Sequence, residues 1–74
     1  MNVIVQTTKE IISIIATRVA ELKIELQTVK GDVVKEVTVA TRIEENQLLQ
    51  VKLQGLLIEY LKRDIEIKNQ SRQN

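Results

Sequence analysis

Residues 22–43, LKIELQTVKGDVVKEVTVATRI, decide the fold. Two structures compete for them. Seven of the eleven residues 33–43 are β-branched, a composition that favours a strand. Leu22, Ile24 and Leu26 alternate with Lys23, Glu25 and Gln27, and Val37, Val39, Thr41 and Ile43 alternate with Thr38, Ala40 and Arg42. A tight turn at Lys30-Gly31 then pairs Leu22 with Val39 and Ile24 with Val37 in an amphipathic β-hairpin. The competing structure is helical. Gly31 ends one helix in the left-handed conformation, and Asp32 caps the next.

A longer pattern favours the helices. A heptad frame reads Val5, Ile12, Val19, Leu26, Val33 and Ala40 at one position and Thr8, Ile15, Leu22, Val29, Glu36 and Ile43 at the other. Ten of these twelve residues are apolar, where a composition that is 43% hydrophobic supplies about five by chance. The frame also crosses Gly31 without a change of phase, which a pair of strands has no reason to keep. The expected fold is therefore all-α and oligomeric. It is a helical hairpin, or long coiled-coil-like helices if the chain continues straight through Gly31. The alternative is α+β, with a helix, a β-hairpin at 22–43 and a long C-terminal helix. In the helical reading the chain is a single small domain. One helix covers about residues 8–29, a turn 30–32 and a second helix 33–68, followed by a frayed polar tail over 69–74.

Upstream, Thr7 and Glu10 have the spacing of a capping box, which places the start of the first helix there. Ile12, Ile15, Val19, Leu22, Leu26 and Val29 follow at steps of three and four and lay one apolar face on that helix. Downstream, residues 44–68 are rich in Glu, Gln, Leu and Lys, all good helix formers. Glu59 with Arg63 and Asp64 with Lys68 are acid-before-base pairs at spacing four.

This second helix is apolar on two sides. Leu48, Val51, Ile58, Leu61 and Ile65 fall on one side, and Leu49, Leu53, Leu56, Tyr60 and Ile67 nearly opposite. A helix with two apolar stripes sits between two neighbours. At 1.5 Å per residue the second helix is about 54 Å long and the first about 33 Å, so the first cannot cover it. Another copy of the chain is the economical cover. The expected self-association surface comprises the six first-helix residues above together with Val51, Leu53, Gly55, Ile58, Tyr60, Leu61 and Ile65. Gly55, inside the helix, costs about 1 kcal/mol relative to Ala if it is merely exposed. It is either tolerated there or marks a close crossing of two helices. Gln47, Gln50 and Gln54 continue the heptad frame where its apolar character fails. They either fix register as buried amides or show that the seam moves to another face after Ile43.

Composition excludes most chemistry. The chain has 74 residues with no His, Cys, Pro, Trp or Phe, and Tyr60 is its one aromatic. No imidazole base, thiolate or disulfide is possible. The two serines, Ser13 and Ser71, have no His partner, and the two glycines are too far apart for a phosphate loop. Glu21 with Glu25, and Glu44 with Glu45, read as solvated surface carboxylates. No enzymatic activity, catalytic residue, metal or cofactor is expected.

Eleven basic against ten acidic residues give a net charge of +1. The halves are balanced, with five and five over residues 1–37 and six and five over 38–74. A phosphate-neutralising stripe is missing, so nucleic-acid binding is the weaker alternative. A DNA-binding dimer with Val3-Ile4-Val5 as its strand is disfavoured, since that strand is wholly apolar. The longest uncharged run after Glu10, residues 11–17, is too short to span a bilayer. No basic segment precedes an apolar stretch at the N-terminus, and a cytoplasmic location without membrane contact is expected. The functional expectation is an oligomeric helical interaction or structural module that binds itself and another protein. A small inhibitor or sequestering protein is a variant of it.

Overall fold

The computed structural model describes residues 3–73, with side chains to residue 70. Two helices, α1 (Val3–Thr28) and α2 (Val33–Gln73), pack against each other as a helical hairpin. No strand occurs among the described residues, which removes the β-hairpin at 22–43. Helix propensity costs β-branched residues only a few tenths of a kcal/mol each. Burying Val39 and Ile43 with Leu22 yields about 1.5–3 kcal/mol per side chain. The threonines also adapt locally. Thr38 and Thr41 donate their hydroxyls at 2.8 Å to the carbonyls of Val34 and Val37, one turn back.

The chain reverses at residues 29–32. Gly31 holds φ at +98°, a left-handed backbone that an L side chain resists. Its N–H donates to Glu36 Oε1 at 2.8 Å. Asp32 caps α2, its Oδ1 accepting from the Lys35 N–H at 3.2 Å. The Asp32 N–H donates to the Val29 carbonyl at 3.1 Å, which closes the end of α1. Gly31 as a helix end and Asp32 as a cap thus stand where the sequence placed them.

Leu22 is fully buried at the centre of the seam, joined by Ile15, Val19, Val39 and Ile43. Ile12, Leu26 and Val29 are half-buried along the same row. The heptad frame therefore holds through α1. Through the turn it holds at only one of its two positions, where Glu36 is half-buried and Ile43 buried. Val33 is 70% exposed, and Val39 is buried where the frame takes Ala40. Reversal is the physical cause: α2 meets α1 from the opposite direction, so antiparallel packing sets its inward row. That row continues past Ile43 through half-buried Asn46, Gln50, Leu53, Leu57 and Tyr60. The seam stays on one face after Ile43. Gln50 lies on it, while Gln47 and Gln54 are exposed.

Both helices are longer than expected. α1 begins at Val3, so Thr7 and Glu10 lie inside it and form no capping box. Thr8 is buried, and its hydroxyl donates to the Ile4 carbonyl at 2.7 Å, satisfying itself within the helix. α2 runs to Gln73, through most of the segment expected to fray; Asn74 lies outside the described residues. Val3 to Val5 are helical, so they make no DNA-reading strand. With 26 and 41 residues, the helices are about 39 and 61 Å long. The end of α2 accordingly projects past α1, and the molecule is 65 Å long.

Leu22→Ala is expected to cost about 2–5 kcal/mol in urea unfolding, and half-buried Leu26→Ala less. Glu25→Ala, exposed on the same helix, is expected to stay within about 0.5 kcal/mol. Comparable effects at all three would show that the seam lies elsewhere.

Candidate functional site

Two rows of side chains run along α2, about 150° apart round the helix at ~100° per residue. The first faces α1 and carries Leu53, Leu57 and Tyr60 in its distal half. The second runs through positions 37, 41, 44, 48, 51, 55, 58, 62 and 65 and faces away from α1. Its large apolar members are exposed: Val37 by 60%, Leu48 by 58%, Val51 by 63%, Ile58 by 54% and Ile65 by 57%. Leu61, beside this row, is 38% exposed. The two apolar sides of this helix are both present, and α1 covers only one of them.

The residues expected at a self-association surface therefore divide. Ile12, Ile15, Val19, Leu22, Leu26 and Val29 face inward and build the hairpin itself, as do Leu53 and Tyr60. Val51, Gly55, Ile58, Leu61 and Ile65 remain on the outside. Leu49 and Leu56 border the covered row at 46% and 42% exposure, and Ile67, on the projecting end of α2, is 63% exposed. Val39 is a seam residue that the heptad frame missed. Its spacing of four from Ile43 is the signal that could have found it.

Gly55 lies within the exposed row. A Cβ built there meets nothing within 4 Å, and its backbone is ordinary helix. Nothing in the hairpin requires a glycine at this position.

The polar groups carry little chemistry. Glu21 pairs with Arg18 at 3.6 Å on the exposed side of α1, and Lys68 with Asp64 at 3.3 Å near the end of α2. The expected Glu59–Arg63 pair is not formed among the described residues. No group of three or more carboxylates that could hold a metal occurs among them either. A shallow groove of about 390 Å³ beside the turn is lined by Leu26, Lys30, Glu36, Val37 and Ala40, and holds no nucleophile paired with a base. Ser13, on α1, accepts at its carbonyl from the Thr17 hydroxyl at 3.1 Å and stands in a depression with Ile14, Arg18 and Glu21. No helix is long and apolar enough to cross a membrane among the described residues. The exposed apolar row of α2 is the large apolar feature that α1 leaves uncovered. The chain matches no protein-family model, no curated protein and no solved structure.

Within a single chain, Gly55→Ala is expected to stabilise the hairpin by nearly 1 kcal/mol, the difference in helix propensity, with no steric cost. Urea unfolding at the lowest workable concentration measures it. A loss of stability in that dilute limit would mean that the position is crowded within the hairpin.

Proposed function

We propose that this protein is a non-enzymatic helical interaction module that self-associates and acts by building an assembly or binding a protein partner. The observation that carries this reading is the second apolar row of α2, which none of the described residues covers. Apolar rows left exposed along a helix are a common mark of an interaction surface. The hairpin seam is also thin. Among the described residues six apolar side chains are buried, against sixteen large hydrophobic ones left exposed. Chains this short are marginal as monomers and gain stability from disulfides, metals or association. With no Cys and no His, association is the route that remains.

The same row explains how recognition is achieved without catalytic groups. Burying Leu48, Val51, Ile58 and Ile65 supplies a non-directional driving force of about 25 cal/mol per Å². Glu44 and Lys62, on the same row, supply direction. A net charge of +1 offers no comparable drive toward nucleic acid.

Light scattering at micromolar concentration is expected to give a mass of at least twice 8.5 kDa. The thermal midpoint should rise with protein concentration, as it does when association stabilises the folded state. A cooperatively folded monomer with a concentration-independent midpoint would overturn the proposal. The two rows are separable by mutation. Val51→Asp should dissociate the assembly while leaving the circular dichroism helical. Leu53→Asp should instead lower the stability of the hairpin itself, by about 1–3 kcal/mol or more for a charge placed in the seam. Equal effects of the two on helicity would mean that one face serves both purposes.

A further inference from the structure

We infer that a second copy of this chain docks on the outer row of α2 in the antiparallel sense, with the two-fold axis beside position 53. This rests on the self-association reading and specifies its geometry. Two charges of opposite sign, Glu44 and Lys62, interrupt the apolar row. Both lack an ion-pair partner within the chain among the described residues. Their midpoint is position 53. Reversing the row about that point sets Glu44 against Lys62 of the other copy, Leu48 against Ile58, and Val51 against Gly55. The three central layers are matched: acid meets base, apolar meets apolar, and a branched side chain meets the residue that has none; Thr41 and Ile65 close the row at each end.

The row is thus complementary to itself, which is why the occupant is a second copy. A parallel pairing in register is disfavoured by the same residues. It would set Glu44 on Glu44 and Lys62 on Lys62, like charges facing each other. It would also place Gly55 on Gly55 and leave a void between the helices. Gly55 itself is the second, independent observation. Its backbone is ordinary helix and its surroundings are empty, so a single chain derives nothing from it. A crossing helix that places Val51 over the bare backbone does. The pairing of positions 41–65 would run for about 37 Å. It would also bring the projecting end of one α2 against the part of the other that α1 already braces.

The chain has no cysteine, so one introduced cysteine carries one spin label. Lys52 and Glu66 are exposed and lie beside the row rather than on it. With labels on Lys52→Cys, the antiparallel dimer places the two labels within about 20 Å, since the axes lie 8–10 Å apart. With labels on Glu66→Cys it places them about 40 Å apart, from the rise per residue. Short distances at both sites would mean parallel pairing, and long distances at both would mean a different face. Either result overturns this geometry while self-association stands; a monomeric mass would remove both. The charge pair has its own test. Glu44→Lys is expected to raise the dimer dissociation constant about tenfold, and Glu44→Lys with Lys62→Glu to restore it. Failure of the exchange to restore association would break the assigned register. Gly55→Leu should abolish the dimer while the hairpin remains helical. Retention of the dimer in that variant would retire the crossing at Gly55.

Discussion

A few polar contacts between residues 29 and 36 hold the chain reversal on which the rest of the molecule depends. Gly31 takes a backbone angle that a side chain would oppose, and the Glu36 carboxylate accepts from its N–H at 2.8 Å. Asp32 turns its carboxylate onto the first turn of α2, and its N–H closes the end of α1. Without this reversal α1 and α2 would continue as one rod, and the apolar row of α1 would have no neighbour in its own chain. With it, Leu22 comes to lie with Val39 and Ile43, and the seam closes outward from the turn.

The seam that results is narrow. Two helices in contact bury one stripe each, and a pair of cylinders leaves most of its circumference to solvent. α1 is mainly one-sided and is well served by this arrangement, although Ile14 and Ile24 remain exposed on its outer surface. α2 is two-sided and is not. Its inner row even carries Asn46 and Gln50, polar side chains that a half-buried position tolerates. Asn46 donates to the Arg42 carbonyl at 2.7 Å, so its amide is satisfied within the helix. The outer row has equally large apolar residues and no cover. The hairpin therefore buries one apolar side of α2 and leaves the other exposed.

An interaction module of the kind proposed works through shape, apolar area and a small number of charges. This fits a chain without imidazole or thiol. Apolar area by itself does not discriminate between partners, because the hydrophobic effect has no direction. Orientation must come from charges and from side-chain size. On the outer row of α2 these are Glu44 and Lys62, opposite in charge and equally far from Leu53, and Gly55, whose counterpart across that point is Val51.

The inward row of α1 and the cap at Asp32 were legible in the sequence, which also favoured helices over strands and offered Gly31 as the place of reversal. These are local properties. Heptad spacing acts within one helix, and a left-handed glycine followed by a capping carboxylate acts within one turn. It also determined that α2 has two apolar sides. The limits of the helices were less legible, because Thr7 and Glu10 imitate a helix start, whereas α1 begins one turn earlier at Val3 and packs Val5 and Thr8 inward. Which side of α2 would be buried was decided only by the tertiary structure. Val39 rather than Ala40, and Leu53 rather than Val51, face inward because α1 returns antiparallel and selects the row that meets it. A heptad count carried through a turn cannot know the angle at which the second helix comes back, and that angle assigns one stripe to the core and leaves the other exposed.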